Sequence, residues 1–145
     1  ITIAFYVFVY TIWLKRKTPQ NIVIGGASGA LPPVIGWTIA TNSLTFEPIT
    51  FFLIIFFWTP SHFWALSLYK ADDYQKAKIP MLPITNGIEE TKKNIFVYSL
   101  IMLPIVILPY YIGFVGETFL IVSLLLTFYY NYVCYDLLKF KKKQI

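Results

Sequence analysis

The fold is decided by residues 48–69, PITFFLIIFFWTPSHFWALSLY, which include no Asp, Glu, Lys or Arg. About 20 mostly apolar residues in a helix are enough to cross the hydrocarbon core of a bilayer, which is roughly 30 Å thick. Three other apolar stretches reach this length, at residues 22–40, 94–113 and 118–138. The sequence therefore predicts four membrane-spanning helices.

The composition supports this interpretation. Hydrophobic residues make up 57% of the chain and charged residues only 13%, which is too apolar for an ordinary soluble domain. The apolar runs are long and continuous, whereas the strands of a membrane β-barrel would be short and would alternate. We therefore predict an all-α, polytopic transmembrane helix bundle that forms one domain over residues 1–145.

The first residues, 1–13, are apolar but too short to span a bilayer. They lack an initiating Met and the basic lead-in of a signal peptide. We expect them to be the cut end of a fifth span, and the chain to be part of a larger protein.

The basic residues predict the orientation of the helices. All of them fall before the first full span, between the second and third, or after the fourth: Lys15, Arg16, Lys17, Lys70, Lys76, Lys78, Lys92, Lys93, Lys139 and Lys141 to Lys143. Loops rich in Lys and Arg stay in the cytoplasm. The net charge of +5 therefore indicates topology rather than nucleic-acid binding, and the predicted inner loops are 14–20 and 70–93.

One inner loop contains adjacent carboxylates, Asp72 and Asp73, within the stretch ADDYQK at residues 71–76. If the second full span stayed helical to residue 76, then His62, Tyr69, Asp73 and Lys76 would lie within an arc of about 60°. One or two carboxylates, completed by water and phosphate, are ligands that Mg²⁺ prefers. A solvated Asp72–Lys76 pair is the alternative.

The other inner loop offers groups that bind anions. Within YTIWLKRKTPQN, residues 10–21, the candidates are Tyr10, Lys15, Arg16 and Asn21. Cationic and amide donors of this kind can hold a diphosphate, although the basic residues need no role beyond topology. The two loops together would suit a lipid diphosphate whose tail enters the bundle. In the span after this loop, Gly25 and Gly29 form a GxxxG pair that is typical of a helix-packing seam.

Three blocks of the sequence resemble one enzyme family. They are TPQNIVIGGASGALPPVIGW at residues 18–37, FFWTPSHFWALSL at 56–68 and DDYQKAKIPMLP at 72–83. Together they are similar to the protoheme IX farnesyltransferases, or haem O synthases, of the intramembrane aromatic and polyprenyl prenyltransferase superfamily. The resemblance implies a nine-helix bundle with two aspartate-rich motifs that bind Mg²⁺ and a prenyl diphosphate.

The resemblance also has limits. It places the chain at about helices 4 to 8, without the first aspartate-rich motif and the last helix, so we expect the chain alone to be inactive. Lys78 stands where the family usually has Gly.

The implied reaction is the transfer of a farnesyl group from farnesyl diphosphate to a vinyl group of haem b, which gives haem O on the route to haem A. Haem b is thus a substrate, and Mg²⁺ is the implied cofactor. We assign Asp72 and Asp73 to the metal, Lys15, Arg16 and Lys76 to the diphosphate, and Tyr10 and Tyr74 to hydrogen bonds with it.

Two further residues are candidates for substrate binding. His62 is an ionisable residue inside a span, about 16 Å along a helix from Asp73, so it cannot share the same ion. It either contacts the haem, through the iron or a propionate, or bonds to a neighbouring helix. Trp64 either flanks the prenyl cation or packs in the core.

Two alternatives to this function remain open. The first is a related prenyltransferase acting on a quinone precursor such as 4-hydroxybenzoate, and the second is a transporter or structural membrane subunit. For either prenyltransferase we expect an inner membrane, bacterial or else mitochondrial. Haem A synthase or proteins of cytochrome oxidase assembly are the partners that the resemblance suggests.

Overall fold

The computed structural model of the protein describes residues 2–140, which are almost entirely helical. The helices are α1 (Thr2–Leu14), α2 (Asn21–Ala30), α3 (Pro32–Thr41), α4 (Glu47–Tyr69), α5 (Ala71–Lys76), α6 (Leu82–Thr85), α7 (Ile88–Tyr111) and α8 (Glu117–Lys139). No strand occurs within residues 2–140. The predicted all-α class is therefore confirmed.

Four segments are long and apolar enough to cross a membrane: Asn21–Thr41, which combines α2 and α3, and the single helices α4, α7 and α8. These are the four predicted spans. The first is interrupted at Leu31, because Pro32 and Pro33 begin α3 and have no N–H to continue the hydrogen bonding of α2. The shorter α1 is apolar, and its residues Phe5–Leu14 form a wider π-helix.

The start of the third span differs from the prediction. Helix α7 begins at Ile88, well before residue 94. The first turns of α7 contain charged residues, so a prediction from hydropathy leaves them out of the span. Glu89 and Glu90 nevertheless lie in the first turn, where the helix dipole favours anions. Both pair with a lysine three residues later, Glu89 with Lys92 at 3.0 Å and Glu90 with Lys93 at 3.6 Å. Local pairing thus extends the helix beyond its apolar part.

Helices α4, α7 and α8 pack around a core of Trp64, Leu82, Ile95 and Cys134. Polar side chains also tie these helices together. Ser61 on α4 shares a hydrogen bond of 2.7 Å with Tyr130 on α8, and Asn131 on α8 donates to the backbone oxygen of Ser99 on α7 at 3.0 Å. Such bonds hold helices together in lipid, where the hydrophobic effect contributes little.

The two ends of the bundle differ in chemistry. The lysine and arginine residues of the described chain all lie at the end where α1, α4 and α8 finish and α2 and α7 begin. At this end Lys92 donates a hydrogen bond to the backbone oxygen of Phe140. The opposite end carries an aromatic cluster in which Phe114 contacts Trp37 and Phe51 edge to face. The basic end is the predicted inner end.

Candidate functional site

The acidic turn lies on its own short helix. Helix α4 ends at Tyr69, and the backbone of Lys70 leaves the helical conformation, at φ −110° and ψ 29°, before α5 begins at Ala71. The prediction that His62, Tyr69, Asp73 and Lys76 share one face required a continuous helix. That premise is wrong, because the break at Lys70 sets a new direction for Asp73 and Lys76.

Asp72 and Asp73 occupy the first turn of α5, and both side chains are exposed. The ion pairs found within residues 2–140 are the two on α7, so the alternative pairing of Asp72 with Lys76 does not form. The positive end of a helix dipole stabilises carboxylates in a first turn. Both carboxylates are exposed and form no ion pair within residues 2–140, so they remain available to a cation.

Two carboxylates fit part of a Mg²⁺ shell. Among the described residues, no group of three His, Cys, Asp or Glu side chains is placed to hold a metal ion. Mg²⁺ is commonly held by one or two carboxylates, with water and substrate phosphate oxygens at its other positions. Asp72 and Asp73 suit that arrangement, in which the phosphate supplies what the protein does not.

The end of α5 has a well-defined geometry. The amide of Lys78 donates to the oxygen of Gln75 at 3.0 Å, and the amide of Ile79 donates to the oxygen of Tyr74 at 3.1 Å. This is the Schellman pattern, which places one residue in the left-handed region and favours Gly there. Lys78 has φ 52° and occupies that place. The position expected to be Gly by resemblance thus has the backbone conformation that Gly favours.

The basic loop is held by Asn21, which is only 1% exposed. Its amide nitrogen donates to the backbone oxygens of Thr18, at 2.7 Å, and Lys15, at 3.4 Å. Asn21 had been predicted to contact a diphosphate. Its side-chain N–H groups instead donate hydrogen bonds to the backbone of the basic loop, and one of these bonds holds the backbone of Lys15.

The basic loop lies beside the segment that follows α5. Lys15 and Arg16 line a small cavity of about 350 Å³ together with Ile79. Ile79 follows directly after the left-handed Lys78. The structure thus brings the predicted anion-binding residues of one loop next to the chain that carries the acidic turn.

A larger cavity of about 540 Å³ lies between α1, α2 and α4. Its lining is mostly apolar and aromatic, and includes Tyr6, Tyr10, Ile22, Gly25, Gly26, Gly29, Ile55, Trp58, Thr59 and Phe63. Cavities of this size and character are typical of small-molecule sites. The sequence analysis had singled out Tyr10 and the glycines but missed Ile22, Ile55, Thr59 and Phe63. The sequence offers no signal for these residues, because the lining depends on which helices are neighbours.

The glycines of α2 shape this cavity. A Cβ on Gly25 would collide with the ring of Tyr10, and a Cβ on Gly26 would lie 3.1 Å from the Thr59 methyl group. Gly29 has no such neighbour within 4 Å. The predicted packing seam thus exists at Gly25 but does not extend to Gly29, where the cavity is open.

Trp64 and His62 point to opposite sides of α4. Trp64 is 1% exposed and meets Tyr98 edge to face at 5.1 Å, within the core. This placement favours the packing alternative for Trp64. His62 is exposed, and its ring stacks on Trp58 with centroids 4.4 Å apart.

Comparison with known proteins places the chain in a family. Residues 1–144 match the UbiA prenyltransferase family. The chain is 81% identical over 140 residues to a protoheme IX farnesyltransferase of Pelagibacter ubique, covering 97% of this chain and 46% of that protein. A protein of the same name from Ehrlichia ruminantium is 63% identical, and the match covers 75% of this chain and 37% of that protein. Another, from Parvibaculum lavamentivorans, is 56% identical, and the match covers 82% of this chain and 37% of that protein.

The chain spans about half the length of the Pelagibacter relative, or less for the others. No solved structure matches it. The match to the family nevertheless runs through every helix described above, including the acidic turn and the large cavity. The chain belongs to the UbiA prenyltransferase family.

Proposed function

We propose that the complete protein transfers a farnesyl group from farnesyl diphosphate to a vinyl group of haem b, giving haem O. The observation that carries this proposal is the 81% identity to a relative named protoheme IX farnesyltransferase, which extends over 97% of this chain. The geometry agrees with a lipid diphosphate as donor, since exposed carboxylates and a basic loop lie at the same end of a bundle that contains an apolar cavity.

The acidic turn and the basic loop would act on the diphosphate. A Mg²⁺ ion bound to Asp72 and Asp73 would supply positive charge to the leaving group. Lys15, Arg16 and Lys76 would add cationic contacts to the same oxygens, while Tyr10 and Tyr74 would donate hydrogen bonds. These groups favour the reaction because negative charge grows on the diphosphate as the allylic carbon–oxygen bond breaks. Asn21 would keep the basic loop in position.

The apolar lining of the large cavity would protect the farnesyl group. As the carbon–oxygen bond breaks, its electron pair leaves with the diphosphate, and the allylic carbon becomes electron-poor. A site that excludes water prevents early capture of that carbon. The vinyl group then forms the new carbon–carbon bond, and one water molecule supplies the hydroxyl group of the product while its proton is released.

The proposed function also implies where the protein lies in the cell. Four spans make this a multi-pass membrane protein, with the bilayer as its surroundings. The relatives named above are bacterial, and this origin together with the basic end of the bundle supports an inner membrane with α5 on the cytoplasmic side. Contact with haem A synthase or with proteins of cytochrome oxidase assembly remains a prediction.

The test offers two acceptors in competition. Membranes that contain the complete protein are incubated with farnesyl diphosphate, Mg²⁺, haem b and 4-hydroxybenzoate, and the products are identified by mass spectrometry. We expect a farnesylated and hydrated haem that is lost when EDTA is added. Prenylated benzoate beside unchanged haem would reassign the acceptor. No product from either acceptor would contradict the proposal as a whole.

A further inference from the structure

The large cavity has a limited depth. On α2 its lining runs from Ile22 to Gly29, and this range corresponds to about 11 Å along the helix. On α4 the lining runs from Phe63 to Ile55, or about 12 Å. Because α2 begins and α4 ends at the basic end of the bundle, Ile22 and Phe63 lie at the basic end of the cavity. Gly29 and Ile55 therefore lie at its other end, nearer the aromatic cluster.

Fixed aromatic rings follow the cavity on α4. Phe51 and Phe52 lie four and three residues before Ile55, which places them on the same side of the helix and one turn nearer the aromatic end. Phe51 meets Phe114 edge to face with ring centroids 5.5 Å apart, and Phe52 stacks on Phe56 at 5.6 Å. The turn of α4 beyond Ile55 thus carries rings that are held by their neighbours.

Gly29 leaves open space at this end of the cavity. A Cβ at this position would meet no atom of residues 2–140 within 4 Å. Gly26, one turn nearer the basic end, is different, because its Cβ would lie 3.1 Å from the methyl group of Thr59. Helices α2 and α4 are thus in close contact beside the open space, and this contact fixes their separation. The missing side chain at Gly29 therefore contributes directly to how far the cavity extends.

The depth of the cavity can be compared with the length of a prenyl chain. Each isoprene unit adds four bonds, and an extended chain advances about 1.2 Å per bond, as an extended polypeptide does. Two units are therefore about 10 Å long and three units about 14 Å. The allylic carbon must stay beside the diphosphate at the basic end, so the unit that carries it lies at the mouth of the cavity. The other two units of a farnesyl group then need about 10 Å of a cavity that is about 12 Å deep.

Prenyl groups of other lengths fit this space less well. A geranylgeranyl group would place three units, about 14 Å, inside the cavity, and its last unit would meet the turn beyond Ile55. A geranyl group would leave the space beside Gly29 empty and lose the apolar contacts there. A difference of one methylene group in an apolar pocket changes kcat/KM by about 10-fold to 200-fold. The end of the cavity is therefore able to discriminate between donors.

We propose that Gly29 and Ile55 set the length of the prenyl group that the protein transfers, because they end the cavity after the third isoprene unit. This inference rests on the proposed function, in which the large cavity holds the prenyl group of the donor. Neither residue contacts the diphosphate or the reacting carbon, and no bond forms or breaks at either. Substitutions here should change which donor is used, while transfer from a donor that fits continues.

The test compares three donors. The complete protein in lipid nanodiscs is supplied with haem b, Mg²⁺ and geranyl, farnesyl or geranylgeranyl diphosphate, and kcat/KM is measured for each donor by mass spectrometry of the product. Gly29→Leu fills the open space, and the ratio of kcat/KM for farnesyl over geranyl diphosphate should fall at least about 10-fold. Ile55→Ala makes room for a longer chain, and the ratio for geranylgeranyl over farnesyl diphosphate should rise at least about 10-fold.

Each variant has a matched control. Gly36→Leu introduces the same side chain into the same span, at a position where a Cβ would also meet no atom of residues 2–140 within 4 Å, but Gly36 does not line the cavity. Ile54→Ala removes the same atoms from the neighbouring position of α4, which likewise does not line the cavity. Both controls should keep the native donor ratios. Thermal unfolding in detergent shows whether all four variants are folded.

The outcomes distinguish this inference from the proposed function. If the native protein farnesylates haem b but either Gly29→Leu or Ile55→Ala keeps the native donor ratios, the function stands and the inference is overturned. Equal loss of activity toward all three donors by a folded Gly29→Leu would also overturn it, as would equal shifts in the two controls. A native protein that transfers no prenyl group to haem b from any of the three donors would contradict both proposals.

Discussion

The two sides of α4 are packed in opposite ways. Toward α7 and α8, Trp64 is buried and Ser61 bonds to Tyr130, so α4 is in direct contact with these helices. Toward α1 and α2, the glycines of α2 leave a cavity of about 540 Å³. One helix thus forms both the stable wall of the bundle and one wall of its cavity. Substitutions should affect stability on the first side and activity on the second.

The largest effect is expected at the inner end of the cavity side. Asp73→Asn removes one of two adjacent carboxylates. We expect turnover of the complete protein to fall by at least about 100-fold, because removing one group that stabilises developing charge in a transition state typically has an effect of this size. The matched control is Asp136→Asn, another exposed carboxylate at the basic end of the bundle. Both variants should insert into membranes normally. Native turnover by Asp73→Asn would remove Asp73 from the site.

A smaller loss of activity should follow from filling the contact between α1 and α2. In Gly25→Ala, the new methyl group collides with Tyr10 and displaces it from the cavity. We expect turnover to fall about 10-fold, which corresponds to about 1.4 kcal/mol in the barrier. Gly36→Ala is the control, since it lies in the same span and its new methyl group would meet no atom within 4 Å. Equal activity of the two variants would contradict the role given to Tyr10.

On the packed side the effect should be on stability. Asn131 donates to the oxygens of Ser99 and Thr127 and accepts from the Ser99 hydroxyl. Asn131→Leu should lower the free energy of unfolding by about 0.6 to 2 kcal/mol, since interhelical hydrogen bonds contribute about 0.6 kcal/mol on average in a membrane protein and up to about 2 kcal/mol in model peptides. Thermal unfolding in detergent measures this, and a double-mutant cycle with Ser99→Ala should show coupling. Additive effects would mean that the two side chains act independently.

The smallest expected effect concerns two helix ends of the same type. Lys78 ends α5 at φ 52°, and Gly113 follows α7 at φ 74° with the same pair of hydrogen bonds. Lys78→Gly should raise the free energy of unfolding by about 1 kcal/mol, the cost of a Cβ in the left-handed region. Gly113→Ala should lower it by a similar amount. Lys78→Ala is the control for charge, and stabilisation by that variant would contradict the backbone explanation.

Hydropathy predicted most of the fold, because a span requires a long run of apolar residues and four such runs are present. The start of α7 was missed because the pairing of Glu89 with Lys92 stabilises a helix that hydropathy does not detect. The break at Lys70 was missed because no Pro or Gly marks it. Local sequence carries little information about such a break.

The candidate site was predicted only in part. The acidic turn and the basic loop could be found from residue types, since carboxylates and cations are rare in this chain. The cavity could not, because its lining depends on which helices are neighbours, and Ile22 and Ile55 look like any other apolar residues. The buried position of Asn21 likewise depends on the path of the loop around it.

The short connections at the aromatic end have a consequence for how the protein is made. The stretches at residues 42–46 and 112–116 join Asn21–Thr41 to α4 and α7 to α8, and neither contains Lys or Arg. During synthesis, the translocon must move only a few uncharged residues across the bilayer with each pair of helices, together with Glu47 and Glu117 at the helix starts. Acidic residues oppose such transfer little. The chain is thus suited to enter the membrane as two helical hairpins.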